Sequence, residues 1–336
     1  MIGAIDRFPD HFLKPLEESD PSRIRTSKIQ SVVLMGMGGS ASAGDVTLDW
    51  LKDKIRIPSI VHREPGIPRF VNSRTLFIAI SYSGETRETL LSFRAAKQRG
   101  SRLVGIGTGG TLSRLCKEFR SPFIHVSSTV APRAALGQLI VASASTLANH
   151  NLVRQISGDM LRAGRDLSHL RNRFGKKVPL KRNPAKQLAF KLLGRIIAVY
   201  SLQRMSSVAR RFKNQLAENS KTAAKFDVLP EACHNEIESW QRNGENLMPV
   251  IIRDRAESPF EGSVIEAFQQ TIRSAIGSTP LEVRLSSRGR LSQLLTPIFF
   301  LDYASAYLAI LNDVDPTPTD QISRYKKRLG LVQTSG

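Results

Sequence analysis

The chain has 336 residues, with 49 Lys+Arg against 29 Asp+Glu and a formal net charge of +20. Its 41% hydrophobic and 23% charged content supports packed cores and excludes wholesale disorder. Two distant cysteines, Cys116 and Cys233, exclude a disulfide framework and a zinc ribbon, and no apolar run reaches the ~18 residues of a membrane span.

The opening MIGAIDRFPDHF has no basic segment followed by an apolar one, so a reducing cytoplasm is the expected location. The β-branched run at 31–37 reads as a buried strand, with a helix at 41–51. Strands are predicted at 59–62, 75–81, 103–106 and 122–126. A helix is predicted over 86–99, with Leu90, Leu91 and Phe93 facing inward and Gly100 as its stop, and another over 136–149. Such alternation gives a parallel sheet with helices on both faces. A basic helix at 154–173 and a connection at 175–184 follow. Strands resume at 195–202, 247–253 and 281–285, and helices at 208–226, 262–276 and 291–311. Beyond Pro316 and Pro318 the tail forms a short basic helix. The predicted fold class is α/β, in two units of similar plan: 1–150, with the glycine-rich loops, and 151–336.

Between Val153 and Lys213 there are sixteen Lys/Arg and only two acids, Asp159 and Asp166. Such a face attracts polyanions. It carries no zinc finger, aromatic RNA-binding signature or helix-turn-helix spacing. It is read as a solvated helical surface; specific nucleic-acid binding is not expected, and the excess suits a phosphate-ester substrate.

Two turns carry the first functional signal. In VVLMGMGGSASAGD, Gly36, Gly38 and Gly39 allow close backbone approach, Ser40 supplies a hydroxyl, and the next helix supplies free N–H groups. Gly36-x-Gly38-x-x-Ala41 also fits a dinucleotide loop, which expects an acid at the end of the second strand; the sequence there is Val61-His62-Arg63-Glu64. In the second turn, Ser81, Ser83 and Thr86 offer three hydroxyls around Gly84, again before a helix. One such turn is often only a helix cap. Two, at the carboxyl ends of parallel strands, point to a phosphate monoester.

GMGGS followed by SYSGET resembles the sugar isomerase (SIS) domain. FKNQLAENSK, LPEACHNEIESW and VDPTPTDQISRYKKRL narrow the resemblance to the archaeal-type bifunctional phosphoglucose/phosphomannose isomerases, over about 31–329. The resemblance implies two SIS-type units and phosphate binding by Gly38, Gly39, Ser40, Ser81, Ser83 and Thr86. The implied reaction is aldose–ketose isomerisation through a cis-enediol, without cofactor or metal.

It also assigns side chains. Glu218 reads on pattern alone as a surface helix residue; the resemblance makes it the base. His234, in Cys233-His234-Asn235-Glu236, suits proton traffic near neutrality or a packed turn, and no second cluster completes a metal site. The resemblance makes it the ring opener, donated by the neighbouring subunit of a homodimer with shared active sites. Arg133 sits among apolar neighbours and suits an oxyanion; the resemblance gives it the enediolate. Lys326 corresponds to the lysine that assists ring opening, with Lys327 one position away. Thr319 corresponds to the residue that leaves room for both C2 epimers. Val199-Tyr200-Ser201-Leu202-Gln203 departs from the family, which commonly carries a glycine there. The rival readings are a non-catalytic phosphosugar-sensing regulator, a nicotinamide oxidoreductase and a glucosamine-type isomerase. A regulator needs no base, and no DNA-binding domain precedes Ser31. A glucosamine-type isomerase usually carries an N-terminal glutaminase domain, for which there is no room.

Overall fold

The computed structural model describes residues 1–12, 17–19, 29–243, 246–285 and 287–329. α1 (Ile2–Asp6) and a 3-10 turn (Phe8–Phe12) precede β1 (Glu17–Ser19). The first unit continues through β2 (Ser31–Met35), α2 (Gly38–Leu51), β3 (Ser59–His62), β4 (Thr75–Ile80) and α3 (Arg87–Gln98). It ends with β5 (Arg102–Gly107), α4 (Gly110–Glu118), β6 (Phe123–His125) and α5 (Leu136–Asn149). The strand order is β1-β6-β5-β4-β2-β3, parallel except for β1, which pairs antiparallel to β6 at the edge. β2 and β4 are buried at every position, as central strands covered on both faces must be.

α6 (Ile156–Phe174) and α7 (Pro184–Leu192) lead into β7 (Ile196–Leu202), α8 (Ser206–Gln215), β8 (Ala224–Leu229) and α9 (Trp240–Asn243). β9 (Leu247–Arg253), α10 (Pro259–Ile276), β10 (Leu281–Arg284), α11 (Arg290–Leu311) and α12 (Asp320–Arg328) complete the chain. The second sheet runs β10-β9-β7-β8, all parallel. The architecture is thus α/β, two units each built on a parallel sheet flanked by helices.

One core joins them. Leu34 and Ile78 of the first sheet and Val199 and Val250 of the second belong to a single apolar cluster, with α11 at its centre. Phe299 of α11 stacks on Phe8 at 6.0 Å and meets Tyr303 edge-on at 5.0 Å. Contrary to the sequence reading, which finds no apolar run of membrane-spanning length, α11 is long and apolar enough to cross a membrane, alone among the described residues; 89% of its most apolar stretch is buried inside the fold, because it is the core helix shared by both units.

Several boundaries differ from the sequence reading. The helix expected over 208–226 ends much earlier: α8 stops at Gln215, one π turn (Leu216–Ser220) follows, and Lys221 turns left-handed at φ +56°. Phe226 lies instead in β8, an edge strand whose half-buried Lys225 and Asp227 hide the apolar alternation. α7 falls just after the expected connection, where the sequence reading places no element. Its signal is the Asn183-Pro184 pair: Asn183 Oδ1 accepts from the N–H groups of Ala185 and Lys186, both at 3.1 Å. α4 is likewise absent from the sequence reading. Leu91 does not face inward; it is 48% exposed, because the buried side of α3 follows Thr89, Ser92, Phe93 and Ala96. Gly100 does end that helix region, at φ +71°.

Candidate active site

The two hydroxyl-bearing turns lie side by side at the carboxyl ends of β2 and β4. Gly38 opens α2 at φ +50°, and the N–H of Tyr82 donates to Ser40 Oγ at 3.3 Å. Ser81 Oγ donates to Thr86 Oγ1 at 3.1 Å, while Ser83 Oγ accepts from the N–H of Glu85 at 3.2 Å. Gly84 holds φ +70°, and a Cβ there would stand 1.9 Å from the Gly109 carbonyl oxygen. Only glycine fits. The Tyr82 hydroxyl accepts from the N–H of Thr129 at 2.7 Å, tying the second turn to the segment that leads into Arg133.

Arg133 stands in a 3-10 turn (Pro132–Ala135) and is 3% exposed. Gly39 lies against its backbone, a Cβ on Gly39 being 3.5 Å from Arg133 Cα. The guanidinium donates through Nε to Asn219 Oδ1 at 2.8 Å and through Nη1 to Glu218 Oε2 at 3.5 Å. Its Nη2 donates to the carbonyls of Pro316 and, at 3.0 Å, Thr317. Burial draws the Arg133 pKa down and Glu218 draws it back up; an arginine so paired stays charged. Behind it, Arg211 donates to the Arg133 carbonyl at 3.1 Å and pairs with buried Asp302 at 2.6 Å. The π turn explains the display of Glu218: it sends Asn219 inward to Arg133 and to Ser305 Oγ, and leaves the Glu218 side chain 25% exposed.

Lys221 closes that turn. Its ammonium donates to the Glu218 carbonyl at 2.6 Å and to the Pro318 carbonyl at 2.7 Å. Partial burial and nearby Arg133 draw its pKa below the ordinary lysine value. Thr319 caps α12, whose residues are all exposed, Lys326 and Lys327 included. His234 ends a 3-10 turn (Glu231–His234) and is exposed. Among the described residues, neither the His234 nor the Lys326 side chain makes a hydrogen bond or ion pair, and neither meets Glu218 or Arg133 in the same chain. The turn bearing His234 is anchored by Glu236, which accepts from buried Tyr200 and from Lys225 at 2.7 Å. Partial burial pushes the neighbouring Cys233 thiol up.

The structure therefore gathers Gly39, Ser40, Ser81, Thr86, Arg133 and Glu218 in one region and leaves His234 and Lys326 on the surface. Asn219, Lys221 and the 315–318 segment before Thr319 are given no role by the sequence reading; their signal is adjacency to Glu218 and two prolines in three residues. At the corresponding end of β7, where glycine is missing, ion pairs fill the space: Arg204 and Arg290 bind Asp254 at 2.7 and 3.1 Å. The residue directly after β3, where a nicotinamide loop expects an acid, is a cation, and the exposed Glu64 comes one position later. That cation, Arg63, is paired with Asp45 of α2. Among the described residues no group of three His, Cys, Asp or Glu side chains is placed to hold a metal.

Paired parallel-sheet units with adjacent glycine- and hydroxyl-rich turns are the architecture of the SIS class, and residues 25–150 match the SIS domain. Residues 181–329 match the bacterial phospho-glucose isomerase C-terminal SIS domain. The chain is 30% identical over 338 aligned positions to a bifunctional phosphoglucose/phosphomannose isomerase of Caldicellulosiruptor bescii, spanning 99% of this chain and 100% of that one. Its counterpart from Thermoplasma acidophilum is 31% identical over 315 positions, 91% of each chain. The chain belongs to the bifunctional phosphoglucose/phosphomannose isomerase family. Among solved structures, a hypothetical protein from Thermus thermophilus superposes with TM-score 0.73 at 14% identity, over 98% of this chain and 91% of that one. The C-terminal domain of glucosamine-fructose-6-phosphate aminotransferase from Francisella tularensis gives 0.70 at 17%, over 94% and 95%. These two likenesses show the shared fold.

Proposed function

We propose that this chain interconverts glucose 6-phosphate and mannose 6-phosphate with fructose 6-phosphate through a cis-enediol. The phosphate lies on the Gly38–Gly39 backbone and the hydroxyls of Ser40, Ser81, Ser83 and Thr86. Glu218 carries the proton between C1 and C2, and Arg133 stabilises the enediolate oxygen. His234 and Lys326 open the sugar ring, His234 arriving from the second chain of a homodimer. Exposure of both side chains in the single chain supports a site completed by association. The sugars are isomers, so proton transfers balance the reaction and the reading calls for no cofactor or metal.

The observation that carries this reading is Arg133 spanning the site: its backbone touches Gly39 of the phosphate turn and its guanidinium meets Glu218. A sensing protein has no need of a carboxylate placed there, and the Arg63–Asp45 pair stands where an oxidoreductase would hold a ribose. We place the join between the units near Asn151. The two distant free cysteines support a reducing cytoplasm. The basic surface along α6 and α7 is read as solvated and attractive to anionic substrate rather than a specific nucleic-acid site. The test is to treat purified protein with a chelator and supply fructose 6-phosphate. Formation of both aldose phosphates supports the reading; formation of neither removes it.

A further inference from the structure

Three successive carbonyls of the tail are each held by a cation. Arg133 Nη2 takes those of Pro316 and Thr317, and Lys221 Nζ takes that of Pro318 at 2.7 Å. The N–H of Thr317 is bound by Asp315 Oδ1 at 2.7 Å. Pro316 and Pro318 fix their own φ, so the 315–319 strap has few alternative shapes. It ends on Thr319. Lys221 is also bound to the Glu218 carbonyl at 2.6 Å, and its backbone at φ +56° belongs to the turn that displays Glu218. One ammonium thus bridges the turn of the proposed base and the residue next to Thr319.

We infer that Lys221 is a positioning residue that sets epimer selectivity, by fixing Thr319 relative to Glu218. The inference rests on the isomerase reading above. The two aldoses differ only at C2, where the intermediate drawn from fructose 6-phosphate takes its proton. By the family resemblance Thr319 is the residue that leaves room beside C2, and its place depends on the Pro318 carbonyl staying on Lys221. Arg133 continues to hold Pro316 and Thr317 when Lys221 is changed, so the strap loosens at its Thr319 end. Misplacement by about 1 Å near reacting atoms costs up to ~10²-fold.

The test is the product partition from fructose 6-phosphate at early times, with glucose and mannose 6-phosphates measured separately. A partition is a ratio within one enzyme population, so loss of folded protein does not alter it. Lys221 is exposed, which favours a folded variant. In Lys221→Met the mannose share is expected to fall about tenfold, while Lys221→Arg keeps the wild-type share. A share unchanged or raised in Lys221→Met, or lowered equally in Lys221→Arg, overturns the inference. Wild-type protein that forms neither aldose phosphate overturns the isomerase reading instead.

Discussion

The guanidinium of Arg133 meets the carboxylate of Glu218 at 3.5 Å across 85 residues of sequence, bringing the two units of the chain together. Arg133 is 3% exposed at its side chain and Glu218 25%. A buried cation therefore faces a carboxylate that solvent can reach. In the proposed reaction the same cation serves the oxygen that becomes negative as Glu218 takes the proton.

Ser83 is exposed and lends its hydroxyl only to a local N–H. Replacing it by Ala removes a phosphate donor worth ~1.5–3 kcal/mol without disturbing the core. Ser83→Ala is expected to raise KM for fructose 6-phosphate roughly tenfold to a hundredfold with a smaller effect on kcat. Steady-state kinetics of Ser83→Ala and of the Ser81→Ala/Ser83→Ala double variant check this; an unchanged KM in the double variant removes the assignment.

Gly84→Ala attacks the same turn through the backbone. The new Cβ would lie 1.9 Å from the Gly109 carbonyl oxygen, with φ at +70°. Both backbones must shift, so the variant should lose ~2–4 kcal/mol. Urea unfolding measures it; a loss below ~0.5 kcal/mol contradicts the packing described.

Arg211→Met leaves Asp302 buried without its cation, which should cost about 3–5 kcal/mol. Burial already holds the Asp302 carboxyl above its ordinary value of 3.8, and Arg211 is the main opposing pull. Without it, the folded chain binds the Asp302 proton still more tightly than the unfolded chain does. Stability from such a raised carboxyl is greatest at low pH and is lost as pH rises from the unfolded value through the folded one. The gap between Arg211→Met and wild type should be larger at pH 8 than at pH 5. Equal gaps at both contradict the buried pairing.

The parallel sheets were legible because strands buried on both faces read as continuous apolar runs, as at 75–81 and 247–253. The Ser40 and Ser81 turns were legible because glycine and hydroxyls cluster where a strand ends. The π turn was not. Helical periodicity runs on past Gln215, and the switch to β8 depends on the edge position of a strand with charged residues. The Arg133–Glu218 contact joins two units, and no local pattern encodes a contact at that separation. Lys221 looked like one more cation in a basic chain, and only the fold brings Pro318 to it.

Surface placement of His234 makes association testable. Glu218→Gln and His234→Ala proteins should each be inactive, and each should lose activity through a different position of a shared site. After subunit exchange at equal mixing, half the dimers are mixed and each carries one intact site, so roughly a quarter of wild-type activity should return. A dead mixture with proven exchange places both residues in one chain's site.

The most direct measurement is solvent exchange at C2. Wild-type protein, chelator-treated and incubated in deuterated water with fructose 6-phosphate, is expected to give glucose and mannose 6-phosphates carrying deuterium at C2, read by NMR. The Glu218→Gln protein should still fold and bind the phosphosugar while exchange falls by ~10²–10⁴-fold, the usual cost of losing a positioned base. Exchange at the wild-type rate in Glu218→Gln would contradict the account.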